Sequence, residues 1–500
     1  MSYDDGSTSS YTTTGEPNKK PINNSSSFSS NQTNNFPPFP LLFMGESSNN
    51  HHNFDNSPIS NLVQDHFFSI LLLLPINSIL SFAQTCKKFN SLASSDALWE
   101  PICRRDWGPT CVDSLKSSCF VANYGEVNYM PWMKVYKQVA QLGSVSCLKL
   151  SDPVVHTLVP CPRASHSLNF VSNCLVLFGG GCEGGRHLDD TWIACLGYDL
   201  KTILKWQKVT SGFPSGRFGH TCVVSGEYFI LFGGINDHGV RLNDTWVGNI
   251  VHSETIGITL FWRLLDVGST APLPPPRGAH AGCCMENRRM LIHGGIGPDG
   301  VRLGDLWILE MSENFSHGTW HEILTNLSPP PRSGHTLTCI NHTQTLLFGG
   351  RGLGYDVLDD VWIFDASSEG NPHWVLVQFD LSSTPWGSNL PRVGHSATLI
   401  LGGKLLMYGG ENSQRCRKND FWLFDVNAVK KQPFSSRMWR KLKSRGYKPK
   451  ARSFHAACSD DSGRLVYVFG GMVDGLLPPA EQSGLGFDGD VFAVELCLSG

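Results

Sequence analysis

Arginine, histidine and aspartate recur in a fixed order through the C-terminal part of this 500-residue chain. An Arg-x-x-His occurs at Arg163/His166, Arg217/His220, Arg277/His280, Arg332/His335, Arg392/His395 and Arg452/His455. An Asp-x-aromatic follows each: Asp190/Trp192, Asp244/Trp246, Asp305/Trp307, Asp360/Trp362, Asp420/Trp422 and Asp490/Phe492. Histidines can ligate metals and an Asp can serve as a general acid. A residue that recurs once per copy is spread over the whole region, too widely for these histidines to share one ion. The expectation is therefore hydrogen bonding between strands for the His and turn capping for the Asp. A second set, Arg186, Arg241, Arg302, Arg351 and Arg417, lies in the intervals before the Asp-x-aromatic, with Arg241, Arg302 and Arg417 each three residues ahead of the Asp. Guanidinium groups gathered on one face suit carboxylates or phosphates through paired bonds, which makes these five the candidate contacts to an acidic or phosphorylated target. The alternative is a local salt bridge from each to the next copy. Serine-nucleophile, phosphate-loop and dinucleotide motifs are absent, as is a distinctive metal-ligand cluster, so neither catalysis nor a cofactor is expected.

The elements that must hold these residues are strands. Six Gly-Gly pairs, at Gly179-Gly180, Gly233-Gly234, Gly294-Gly295, Gly349-Gly350, Gly409-Gly410 and Gly470-Gly471, stand 54 to 61 residues apart. Each follows an apolar run such as Leu175 to Phe178 or Val466 to Phe469, the pattern of a buried strand. A second tryptophan follows the Asp-x-aromatic in five copies, at Trp206, Trp262, Trp320, Trp374 and Trp439, and the spacing fits four strands per unit. This layout resembles the kelch repeat over residues 145 to 500, which implies one four-stranded blade per copy and an all-β six-bladed propeller. The sixth copy ends soon after Phe492. Counting back from Arg163 by the usual interval reaches Val145 to Leu150, the expected outer strand that closes the ring.

Upstream, residues 59 to 108 change to short helical patterns broken at Pro75, with Ile79, Leu80 and Ala83 on one face of a 3.6-residue period. Leu62 through Asp65, Ile70-Leu71, Leu74-Pro75, Thr85 through Phe89 and Leu98-Trp99 resemble an F-box, with Val63 and Ser69 departing from its pattern. The resemblance implies a small all-α module that packs on the Skp adaptor of a Skp/cullin/F-box ubiquitin ligase, and through it on cullin. It assigns the adaptor contact to Leu62, Ile70, Leu71, Leu74, Pro75, Ile79 and Leu80. Residues 109 to 144 are expected to be a linker containing a helix.

Residues 1 to 58 are rich in Ser, Asn, Thr and Pro and poor in aliphatics, the composition of a disordered tail. A net charge of −3 gives no field that would draw the chain to nucleic acid or an anionic membrane. The run Phe67 to Leu74 is far too short to cross a bilayer. A basic run between Lys430 and Arg452 reads as a solvated loop or an import signal. Sixteen cysteines without a C-x-x-C pair, and no secretory signal at the start, point to reduced thiols in the cytosol or nucleus. The order of tail, F-box and six kelch units resembles plant-type F-box/kelch proteins. That implies a non-catalytic receptor that holds a target protein for ubiquitination; a kelch scaffold unconnected with ubiquitin, or a propeller enzyme, is the alternative.

Overall fold

In the computed structural model the described residues are 62–119, 130–150, 158–209, 213–253, 257–268, 272–285, 288–367, 371–379, 390–431, 438–474 and 485–498. The expected tail, residues 1 to 58, lies outside them. Val63–Gly500 forms one compact unit. It opens with six helices: α1 (Gln64–Leu72), α2 (Ile76–Ala83), α3 (Lys87–Ala93), α4 (Asp96–Trp107), α5 (Pro109–Cys119) and α6 (Trp132–Ala140). Pro75 separates α1 from α2 because the residue before a proline is pushed out of the helical region. The rings of Phe67, Phe82 and Phe89 meet at 4.3 to 5.9 Å and clamp the first three helices. Tyr136 on α6 donates a hydrogen bond to Asp106 and stacks on Trp107, and Asp96 accepts from the N–H of Trp132. The helices α5 and α6, within the stretch expected to be a linker with a helix, pack into the same core through Val112, Leu115, Trp132 and Val139.

Among the described residues the β region holds six four-stranded antiparallel blades, with a two-stranded and a three-stranded ribbon beside them. The first strand of the chain, β1 (Ser144–Leu150), belongs to the last sheet. Blade 1 holds β2 (Ser167–Val171), β3 (Cys174–Phe178), β4 (Thr191–Leu196) and β5 (Ile203–Val209), and blades 2 to 5 repeat the order. In blade 6, strands Ala456–Ser459, Leu465–Phe469 and Val491–Leu496 are completed by β1, which runs antiparallel to Val491–Leu496 from Val145↔Leu496 to Leu150↔Val491. The other edge of β1 pairs in parallel with the outer strand of blade 5, Ser144↔Lys443 through Cys147↔Gly446. Blades 5 and 6 are therefore welded into one eight-stranded sheet. The helical module shares their core, in which Ile79, Trp99, Ile102 and Val139 cluster with Leu401, Tyr408, Phe421 and Val494. Arg440 donates to the carbonyl of Leu142, and the Cys111 thiol donates to that of Ser462.

At the axis, the residue two after each repeat arginine hydrogen-bonds to its counterpart in the next blade. The N–H groups of Ser165, Phe454, Gly394, Gly334, Ala279 and Gly219 each donate to the carbonyl of the following residue in that order, and Gly219 closes the circle on Ser165, at 2.6 to 2.9 Å. All six have φ between 54° and 66°. A left-handed residue costs glycine little, whereas Ser165, Ala279 and Phe454 each bear about 1 kcal/mol or more of strain.

The expectation that the Asp of Asp-x-Trp caps a turn is corrected by the structure: in five blades it is the counterion of the buried repeat arginine. Arg277, 0% exposed, binds both oxygens of Asp305 at 2.7 and 2.6 Å, and also donates to the carbonyls of Pro275 and Gly294. The Trp307 indole N–H donates to Asp305 as well. Burial would raise the carboxyls of Asp190, Asp305, Asp360 and Asp420; the guanidinium and indole bonds outweigh it and hold them below the usual range. Blade 6 departs from this. Arg452 reaches Asp488 at 3.3 Å, while Asp490 is taken by Lys149 of β1 at 2.7 Å and by the Tyr447 hydroxyl at 2.6 Å. Phe492 has no indole N–H to offer, so the carboxylate pairs elsewhere.

The Gly-Gly pairs fit the histidines. A Cβ on the first glycine would meet the histidine ring of the next blade at 2.7 to 3.1 Å, and one on the second would meet its own blade's histidine Cβ at 2.7 to 3.0 Å. Three of the histidines bond a hydroxyl in the blade before them: His220 meets Ser167, His395 meets Thr336 and His455 meets Ser396, at 2.9 to 3.1 Å. The equivalent residue for His335 is Ala281, which has no hydroxyl. His293, standing where other blades carry Phe or Tyr, supplies the bond instead, Nδ1 to Nε2 at 3.0 Å.

Removing one partner of a buried ion pair costs about 3–5 kcal/mol because the other charge is stranded. Arg277→Leu is expected to lose that much in urea unfolding, and Arg452→Leu, with its single longer carboxylate contact, clearly less; equal losses would refute the distinction. The histidines make a second prediction. Burial pushes His220, His293 and His395 down to about 3 and His166, His280, His335 and His455 well below their ordinary value. Neutral when folded and protonated when unfolded below about pH 6.5, each contributes stability that is complete above that pH and is lost as pH falls toward 3, at up to about 1.4 kcal/mol per pH unit. Unfolding free energy should drop steeply between pH 6.5 and 5 with net proton uptake; a flat profile would contradict it.

Candidate functional site

Two surfaces carry the candidate residues. On the helical module, α1 is apolar on more than its buried side. Phe67 and Leu71 turn into the core, and Leu74 beyond the helix end packs against it. Val63 at the N-cap of α1, Ile70 within it and Leu73 at its C-cap are nevertheless bare, at 58%, 49% and 86% exposure. Arg105 fastens the end of α1 by donating to the carbonyls of Leu72 and Leu74 at 2.6 and 3.1 Å. Among the residues assigned to the adaptor, Ile70 and Pro75 are exposed and Leu62, Leu74 and Leu80 are half-buried. Leu71 and Ile79 are 2% and 0% exposed, and they are corrected from contact residues to core. Leu73, exposed and apolar beside Ile70, was missed. An apolar run reading the same on both faces gave no sign of which side the core would take.

The second surface is the rim built by the hairpins after the Gly-Gly pairs. These hairpins superpose by one hydrogen bond: the N–H of Cys182, Asn236, Gly297, Gly352 and Asn412 donates to the carbonyl four residues on. In this register Arg241, Arg302 and Arg417 are equivalent, with His187 and Val357 in the same place in blades 1 and 4. Arg186 is one position short, matching Val240 and Val301, and Arg351 sits six earlier, matching Glu411. The five arginines therefore do not form one ring, because hairpins with the same turn carry them at different steps.

Their partners also differ. Arg351 donates to Glu411 of the next blade at 2.7 Å. Arg417, its side chain 7% exposed, donates to Asp474 at 2.5 Å and to the Ser453 hydroxyl at 3.1 Å, with Glu411 3.8 Å away. Blades 4 to 6 thus alternate cation and anion and neutralise themselves. Arg302 donates through Nε to the Ser333 hydroxyl at 3.1 Å, and its guanidinium lies 4.5 Å over the Tyr355 ring. Arg241 meets Gly278 where Arg302 and Arg417 meet serine. Its Nη1 donates to the carbonyl of Gly239 at 2.8 Å, and its buried Nε has no hydrogen-bond partner among the described residues. Arg186 is exposed. The hairpin tips beside them carry Val240, Val301, Leu353 and Tyr355, each more than half exposed. The tips over blades 1 to 4 are therefore apolar and of mixed charge, since the exposed Glu183, Asp237, Asp299 and Asp356 stand on the same hairpins as Arg186, Arg241 and Arg302.

Within the basic run, Lys441, Lys443 and Arg445 are exposed along the outer strand of blade 5; the side chains of Lys430, Lys431 and Arg437 lie outside the described residues. Lys441 approaches Asp420 at 3.5 Å. Among the described residues, no group of three or more His, Cys, Asp or Glu is placed to hold a metal ion, and no helix is long and apolar enough to cross a membrane.

Comparison with known proteins agrees with both halves. The family described as KLHDC2/KLHL20/DRC7 Kelch-repeats domain matches residues 136–259, 258–385 and 376–494, and the F-box-like family matches residues 65–105. An F-box/kelch-repeat protein of Arabidopsis thaliana is 57% identical over 456 residues, 89% of this chain and 93% of its own length. Adagio-like protein 3 of Oryza sativa subsp. japonica is 28% identical over 81% of this chain, and the match spans 59% of that protein. Host cell factor 1 of Rattus norvegicus is 28% identical over 55% of this chain and 14% of its own length.

Proposed function

The chain belongs to the family of F-box/kelch-repeat proteins, and from that premise we propose that it is the substrate-recognition subunit of a Skp/cullin/F-box ubiquitin ligase. One observation carries the reading: the helical module leaves Val63, Ile70 and Leu73 bare to solvent along its first helix. Burying a large aliphatic side chain is worth about 1.5–3 kcal/mol, so this strip with Pro75 and the half-buried Leu74 and Leu80 is enough to seat a Skp-type adaptor. The propeller then holds the target. Because helices and blades 5 and 6 share one core, a target on the rim is held at a fixed distance from the adaptor, which keeps its lysines at high effective concentration near the ubiquitin-loaded enzyme. The role proposed is one of proximity, and it suits the cytosol or nucleus, where cullin ligases meet their targets.

Target capture falls to Arg186, Arg241 and Arg302. Arg241 has the strongest support, since a buried donor without a partner is costly and a bound carboxylate or phosphate would satisfy it. Arg351 and Arg417 already have carboxylate partners and serve the rim.

For the adaptor, Ile70→Asp with Leu73→Asp should lower affinity for a purified Skp-type adaptor by roughly 100-fold or more in calorimetry while leaving the thermal midpoint unchanged. Unaltered binding would remove the assignment, and absence of binding by the wild type would leave a kelch scaffold. For the target, anisotropy with labelled Glu-rich and phosphoserine-containing peptides should show binding weakened at least about tenfold by Arg241→Ala with Arg302→Ala, a loss of 1.4 kcal/mol or more. The same peptides should bind Arg351→Ala undiminished; equal losses in both would show that only overall charge matters.

A further inference from the structure

Blade 1 holds a pair of cysteines that the recognition role does not use. Cys174 on β3 and Cys195 on β4 face each other directly in the antiparallel register. The two neighbouring hydrogen bonds fix what kind of pair this is. The Leu196 N–H donates to Asn173 and the Gly179 N–H donates to Asp190, so the bonded pairs fall at the odd-numbered residues of β3. Cys174 and Cys195 therefore occupy a non-hydrogen-bonded position, where cross-strand Cα atoms approach closest and side chains lie nearest each other. The Cys174 thiol donates to the Cys195 sulfur at 3.9 Å. A Cα separation of about 4.5 Å at such a position lies within the range that a disulfide spans, so rotation of the two side chains can bring the sulfurs to bonding distance without moving the strands.

The two thiols are not equivalent. Cys174 is 5% exposed, while Cys195 is half-buried at the edge of the cluster between blades 1 and 2 and lies across from Lys205 on β5. The hydrogen bond from Cys174, followed by the Lys205 ammonium, pulls the Cys195 thiol below its ordinary value, and the same bond pushes Cys174 up. One member is thus the more acidic and less buried thiol, and the other is a sheltered thiol in line behind it.

We propose that Cys174 and Cys195 are a reversible oxidation site that takes hydrogen peroxide and closes to a cross-strand disulfide within blade 1. The Cys195 thiolate attacks one peroxide oxygen and breaks the O–O bond, leaving a sulfenic acid and hydroxide. The Cys174 sulfur then displaces the hydroxyl from Cys195, and the Cys174 proton leaves with it as water. The proton first lost from Cys195 neutralises the hydroxide. Two thiols lose two electrons in all, and peroxide becomes two waters; a dithiol reverses the change by exchange. No disulfide joins any of the fifteen cysteines whose side chains are described.

The full-length protein, reduced and freed of reductant, is treated with a small excess of hydrogen peroxide. It is then denatured in N-ethylmaleimide, digested without reduction and read by mass spectrometry. The expected product is the Cys174 peptide linked to the Cys195 peptide, lighter than the two thiols by two hydrogen atoms, and returned to two maleimide adducts by dithiothreitol added before alkylation. In Cys174→Ser, Cys195 should stop at the sulfenic acid and be captured by dimedone. Recovery of both cysteines as maleimide adducts, at a dose that oxidises the exposed Cys86 or Cys416, would overturn the proposal. So would a link from Cys195 to Cys222, which lies in the same cluster. The wild-type result decides the matter even where the serine variant folds poorly.

Discussion

Six backbone hydrogen bonds closing on themselves around the axis are the constraint from which the rest of this propeller follows. A closed ring of this kind needs each blade to contribute a left-handed residue at one place, and Ser165, Ala279 and Phe454 accept that conformation despite its strain. Once the ring is set, the arginine two residues earlier is buried in every blade, and a buried guanidinium must find a carboxylate and carbonyls to satisfy its donors. The Asp-x-Trp, the first glycine carbonyl and the proximal turn are the answers to that single demand. The histidine one residue beyond the ring is likewise pressed onto the preceding blade's Gly-Gly, where no Cβ would fit.

The repeats tolerate substitution because the demand is local and can be met in more than one way. Loss of the hydroxyl at Ala281 is answered by His293, and loss of the indole at Phe492 by a new pairing of Asp490 with β1 and Tyr447. Blade 6 can afford its weaker arginine pair since β1 holds it from the N-terminal side and joins it to blade 5. That weld is also where the helices enter the core, so the part of the chain with the apolar strip and the part with the rim are one body. For a receptor acting by proximity, such stiffness matters more than the strength of any one contact.

The rim is asymmetric for an equally simple reason. Around the axis each hairpin arginine faces a residue of the next blade. Serine there satisfies Arg302 and Arg417, whereas glycine leaves Arg241 wanting. Glu411 and Asp474 pair with Arg351 and Arg417 on one side; on the other, the arginines share the hairpin tips with the exposed Glu183, Asp237, Asp299 and Asp356 beside Val240, Val301 and Tyr355. The asymmetry lies in which donors are satisfied, and the one left open is the Nε of Arg241.

The amino-acid sequence alone determined the number of blades, the order of helices and strands and the use of Val145 to Leu150 as a strand, because each rests on short-range pattern: a period of 54 to 61 residues, apolar runs ended by glycine, and proline between helices. Which face of α1 is buried was not legible, since Phe67, Ile70, Leu71 and Leu73 are all apolar and only the helices packed against them distinguish core from surface. Nor was the fate of the five arginines. Their spacing from the next Asp aligned Arg241, Arg302 and Arg417 correctly, yet Glu411, Ser453 and Gly278, which decide whether each is paired, lie 36 to 60 residues away in sequence or are not polar at all. The pairing of Asp305 with Arg277 across 28 residues was hidden in the same way. Repetition in sequence reveals the scaffold; the partners that set charge and exposure come together only when neighbouring blades meet, and that is a property of the closed ring.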